Sequence, residues 1–114
     1  MTTLYGIPNC DTVKKARKWL DENQIDYNFH NFKKDGLDHG LLDTWFQAIG
    51  WETLLNKRGT TWRKLPADIK DNIDQDSAKK IMLENASIIK RPVLSTETQY
   101  HVGFKPEDYQ SIFS

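Results

Sequence analysis

The chain has 114 residues, 38% of them apolar and 11% aromatic, which is enough to bury one core without metals or disulfides as supports. Its 16 Lys and Arg balance 16 Asp and Glu, so the broad positive footprint required for duplex nucleic acid is missing. The one cysteine, Cys10, excludes a disulfide framework within the chain and any zinc motif that needs two cysteines.

Thr3-Leu4-Tyr5, bounded by Gly6 and Pro8, reads as a short buried strand ending in a loop. A helix is predicted from about Asp11 to Glu22, with Val13, Ala16 and Leu20 on one face and Lys14, Lys15, Arg17 and Lys18 on the others. Tyr27 to Phe32 alternates aromatic and polar residues and reads as a strand parallel to the first across a βαβ crossover. The middle of the chain is helical. Asp38 is the predicted N-cap of a helix striped by Leu41, Leu42, Trp45, Phe46 and Ile49, and Gly50 is its stop. Pro66 is predicted to open a short helix carrying Ile69 and Ile73. Another, from about Asp76 to Asn85, buries Ala78, Ile81 and Met82. Strand character returns at Pro92–Ser95 and at Tyr100–Val102, and the polar turn between them predicts a hairpin. Pro106 begins a last helix that turns Tyr109, Ile112 and Phe113 inward.

The expected fold class is therefore α/β: a mixed four-stranded sheet with helices packed on it. A single domain over residues 1–114 is expected, with a helical insertion at roughly 38–86. Met1-Thr2-Thr3-Leu4-Tyr5-Gly6 has neither a basic start nor an apolar run, so no secretory leader is expected. Apolar runs such as Ile81-Met82-Leu83 are too short to span a membrane. The expected location is the cytoplasm, with no membrane or direct nucleic-acid partner.

Cys10 ends the loop Gly6-Ile7-Pro8-Asn9-Cys10 and precedes the first helix. There a thiol meets unpaired backbone N–H groups and the positive end of the helix dipole, and both favour the thiolate. Lys14, one turn on, adds a cation to the same face, while Asp11 opposes it unless it turns to solvent or caps the helix. Position alone leaves a packed, inert thiol as the open alternative.

Thr53 to Ala67 contains Lys57, Arg58, Arg63 and Lys64 and no acidic residue, and Asn85 to Thr96 contains Lys90 and Arg91 with none. Such local excesses in a neutral chain suggest an anion site, for which Arg is well shaped. A solvated charged loop is the alternative, and for Lys57, Lys64 and Lys90 it is the preferred one. Lys105 precedes Pro106, at the start of another helix where anions are favoured. Arg91-Pro92 at a strand entry is a candidate cis peptide. His30, His39 and His101 show no metal-ligand spacing, so no metal is expected.

Leu4-Tyr5-Gly6-Ile7-Pro8-Asn9-Cys10-Asp11-Thr12 before a Lys-rich helix resembles the arsenate reductase (ArsC-like) family. So do Arg91-Pro92 before a strand and Gly103-Phe104-Lys105-Pro106-Glu107. The run Asn56-Lys57-Arg58-Gly59-Thr60-Thr61-Trp62-Arg63-Lys64-Leu65 is most similar to the YffB subgroup. The resemblance covers essentially the whole chain in order. It implies a thioredoxin-like fold with an inserted helical region, Cys10 as nucleophile and Pro92 as a cis proline facing the cysteine loop.

Of the three arginines that surround the oxyanion in glutaredoxin-linked arsenate reductases, the resemblance retains Arg91. It displaces the middle one from Asn56 to Arg58 and replaces the last by Lys105. The related Spx regulators often carry a Cys-x-x-Cys switch whose second position here is Val13. The implied activity is that of a glutathione-dependent monothiol reductase. Cys10 attacks a disulfide or oxyanion, the anion-binding groups are Arg91, Arg58, Lys105 and Lys14, and an external thiol releases the adduct. Glutathione is the expected co-substrate, aided by glutaredoxin, and no bound cofactor is expected. The alternative is an Spx-like, non-catalytic regulator that binds RNA polymerase, which has no need of a reactive Cys10.

Overall fold

A computed structural model describes residues 2–114. Four strands, β1 (Thr3–Gly6), β2 (Asn28–Asn31), β3 (Val93–Ser95) and β4 (Tyr100–Val102), form one sheet in the order β2-β1-β3-β4. β1 and β2 are parallel, with Leu4 opposite Phe29, and the other two pairings are antiparallel. The parallel pair requires a crossover, and α1 (Asp11–Glu22) supplies it. The expected α/β class and mixed sheet are what the chain adopts.

Side chains alternate across the strands, so Leu4, Phe29 and Leu94, which pair across the sheet, share one face. The buried stripe of α1, Val13, Ala16 and Leu20, joins Leu4 and Leu94 in one core cluster. A last helix, α8 (Pro106–Phe113), adds Tyr109, which is also fully buried. Trp19 and Phe104 meet the Tyr109 ring edge-on at centroid distances of 5.6 and 4.7 Å. Ile112 and Phe113 pack against the same cluster.

The second strand is shorter than its aromatic alternation predicts. Asn31 accepts a 2.9 Å hydrogen bond from the Lys33 N–H, and Asp35 accepts one of 3.0 Å from the Asn31 N–H. These local bonds turn the chain into α2 (Phe32–Asp35), so Phe32 opens a helical turn and does not end the strand.

The chain divides into two compact units, one running up to Gly36 and resuming over Arg91–Ser114, the other Leu37–Lys90. The second opens with α3 (His39–Ala48), capped by Asp38, whose carboxylate accepts the Leu41 N–H at 2.8 Å. Gly50, at φ +100°, supplies the left-handed residue that ends it. Then come α4 (Trp51–Leu54), α5 (Thr60–Arg63), α6 (Ala67–Asp71), α7 (Gln75–Glu84) and a 3₁₀ turn (Ala86–Ile88). α7 starts one residue before the expected Asp76, because Asp74 and Ser77 form a reciprocal capping box. α6 ends before Ile73. The core here is apolar, with Leu42, Trp45, Leu54, Leu55, Met82, Ile88 and Ile89 all essentially inaccessible to solvent.

This unit reaches a few residues past the expected limit near 86, for a backbone reason. Asn56 N–H donates to Ile88 O at 2.8 Å and Lys90 N–H to Leu54 O at 2.7 Å, which ties residues 88–90 to the end of α4. Among the described residues no helix is long and apolar enough to cross a membrane.

Candidate active site at Cys10

Cys10 is the N-cap residue of α1, with extended backbone angles (φ −87°, ψ 126°). Its carbonyl already accepts the Lys14 N–H at 2.9 Å, the first bond of the helix. At such a position the side chain faces the unpaired N–H groups of the first turn, where Ser, Thr or Asp ordinarily supplies an oxygen. Here a sulfur faces those groups without closing a cap hydrogen bond.

Burial pushes the Cys10 thiol up, but it is outweighed. The Val13 N–H, a hydrogen bond from the Arg91 side chain, the Thr12 N–H and the Arg91 charge together hold the thiol below its ordinary value. The site therefore shifts Cys10 toward the thiolate, and Cys10 is half-buried. Arg91 precedes Pro92, and the peptide between them is cis. From Pro92 the chain enters β3, beside the strand that leads into the Cys10 loop. Gly103, which follows β4, donates its N–H to Pro92 O at 2.9 Å and fixes the far side of this turn.

Gly6 governs how closely α1 approaches β1. A Cβ at Gly6 would lie 2.7 Å from Val13 Cγ2, inside any real contact distance. The missing side chain lets Val13, fully buried, settle against the end of β1, and this sets where the first turn and Cys10 sit.

The other expected site residues fall into two groups. Lys14 and Lys105 are exposed residues of the same unit as Cys10, Lys14 on α1 and Lys105 as N-cap of α8. The cation that acts on the thiol is Arg91; Lys14 is not among the groups that shift it. Arg58 belongs to the Leu37–Lys90 unit, is exposed, and donates its backbone N–H to Asn56 Oδ1 at 3.2 Å. Among the described residues no group of three or more His, Cys, Asp or Glu is arranged to hold a metal ion. Sequence reading singled out neither Gly6 nor the particular amides of Thr12 and Val13. The signal for the amides was present, since Cys10 at N-cap faces its second and third helical residues.

Comparison with known proteins bears on this arrangement. A model of the ArsC family matches residues 5–112. A solved structure described as a YffB protein superposes with a TM-score of 0.95 at 46% identity over all of both chains. An arsenate reductase (ArsC) related protein from Brucella melitensis is 51% identical, with a TM-score of 0.81 over 99% of this chain and 94% of the other. A global transcriptional regulator, Spx 2 of Lactococcus lactis, is 33% identical over 97% of this chain and 85% of its own length. The mixed sheet with its helices is the thioredoxin-like fold of these proteins. On the family match and the identity to these relatives, the chain belongs to the ArsC family.

Proposed function

We propose that the chain is a glutathione-dependent monothiol reductase. The observation that carries this reading is Cys10 at the N-cap of α1, its sulfur stabilised as thiolate by two backbone N–H groups and by Arg91. On a mixed disulfide between a substrate thiol and glutathione, the Cys10 thiolate attacks the glutathione sulfur. A bond between Cys10 and glutathione forms, the substrate thiolate leaves with the electron pair, and solvent protonates it. No second cysteine exists to resolve the adduct. A second glutathione thiolate therefore attacks it, producing oxidised glutathione and restoring the Cys10 thiolate. Arg91 is the side chain that would hold the negative charge of the substrate, an oxyanion included, with Lys105 and Lys14 as outlying cations. Glutaredoxin is the protein partner this scheme admits.

The test is the intact mass of the reduced protein after brief exposure to oxidised glutathione at neutral pH, beside Cys10→Ser. Prompt addition of one glutathione, reversed by excess thiol and missing in Cys10→Ser, is the expected outcome. A native protein that takes up none, while its denatured form reacts freely, would overturn the proposal.

The identity to Spx 2, a global transcriptional regulator, favours a second reading, a regulator, for which we propose RNA polymerase as the partner. Position 13, the second position of the Cys-x-x-Cys switch often found in Spx regulators, holds a fully buried valine here. A regulator with no switch has no use for an activated Cys10, so the same mass measurement separates the two.

A further inference from the structure

The cationic stretch between α4 and α6 takes no part in the thiol chemistry proposed above. Lys57, Arg58, Arg63 and Lys64 are all exposed, and no acidic residue occurs from Thr53 to Ala67. Among the described residues none of these cations is in an ion pair. In a chain of zero net charge this is a concentrated, exposed run of positive charge.

The backbone that carries these cations is tethered. Leu55 bridges Ile89, Asn56 N–H donates to Ile88 O at 2.8 Å, and Thr61 and Ser87 share a 3.0 Å hydroxyl hydrogen bond. Asn56 Oδ1 accepts the Arg58 N–H and closes the turn that leads to Gly59. Lys57 Nζ lies 5.4 Å from the centroid of the Trp62 ring and covers that aromatic face.

We propose that this patch is a docking surface for an acidic segment of a partner protein. Exposed cations with no carboxylate partner, carried on a backbone already tethered, cost little backbone freedom on meeting carboxylates, and Arg forks match carboxylate geometry. Such a surface speeds encounter with an acidic partner and rejects a basic one. Single-stranded nucleic acid is the disfavoured occupant, because it needs open aromatic faces for its bases and Trp62, the aromatic of this stretch, is covered by Lys57.

The experiment is a titration of isotope-labelled protein with a hexapeptide of alternating glutamate and aspartate, followed by amide shifts at about 20 and about 200 mM salt. A basic hexapeptide and a thymidine hexanucleotide serve as comparisons. Shifts centred on Lys57–Lys64, weakened about tenfold by the added salt, are expected for the acidic peptide. The variant Lys57→Glu with Arg63→Glu and Lys64→Glu should abolish them. Arg63→Gln should weaken them about threefold should the triple variant fold poorly. Cys10→Ser should bind as the parent does, so failure of the thiol chemistry leaves this result standing. No shift in this stretch, binding that survives charge reversal, or tighter binding of the oligonucleotide at the same residues would each overturn the proposal.

Discussion

At Cys10 the same interactions that make the sulfur reactive also make it stabilise the fold. The Val13 and Thr12 N–H groups and the Arg91 side chain favour the thiolate, and together these outweigh the burial that pushes the thiol up. A group whose folded value is depressed contributes stability that is fully present above its unfolded value. That contribution is lost as pH falls through the folded value. For Cys10 the window opens near the ordinary cysteine value of about 8.5 and extends downward. Thiolate absorbance in the ultraviolet, followed against pH, should therefore show a midpoint below that of free cysteine. Arg91→Ala should move it upward and slow glutathione addition, and Arg91→Lys should recover part of the loss by restoring charge without the planar fork. Urea titrations at pH 6 and pH 9 should show stability rising with pH in the parent more than in Cys10→Ser. A midpoint unmoved by Arg91→Ala would leave the backbone amides as the whole cause.

The elements explain why Cys10 and Arg91 come together, and here the sequence was legible in most but not all respects. The α1 stripe, the Asp38 cap, the Gly50 stop and the Pro106 start each rest on a local rule, and each element formed where that rule put it. α4, α5 and the 3₁₀ turn escaped because each is at most one helical turn, too short to show a hydrophobic period. Gly6 escaped for a different reason. Its demand comes from Val13, which is far enough along the chain that only the packed βα corner reveals the contact. Gly6→Ala should cost about 1–3 kcal/mol through overpacking. It should also slow Cys10 reactivity, because the first turn of α1 must move to admit the methyl group. Val13→Ala in the same chain should restore part of both losses, which a double-mutant cycle in denaturant would measure as a coupling. Additive losses would mean that Gly6 acts through its own backbone and not through Val13.

At the scale of the whole chain, composition set the chemistry before any element did. One cysteine in 114 residues cannot deliver a pair of electrons by closing an internal disulfide. Any redox cycle must then pass through a bond between Cys10 and another molecule. The helix start at Cys10 and the candidate cis peptide at Arg91-Pro92 were legible from adjacent residues, whereas the meeting of Arg91 with Cys10 was implied by the family resemblance. Arg58 was not legible, since its part depends on the path of a loop between short helices, which no periodicity encodes. The proposed cycle has a kinetic consequence that tests the chain as a unit. The mixed disulfide and glutathione react in turn with one sulfur, and the first product leaves before the second thiol arrives. Initial rates measured over a grid of both concentrations should therefore give parallel double-reciprocal lines, the pattern of a covalent intermediate. Intersecting lines would require both molecules to be bound at once, and Cys10 would then not be the sole carrier of the transferred group. Addition of glutaredoxin should raise the maximal rate while keeping the lines parallel, because it replaces only the thiol that releases Cys10.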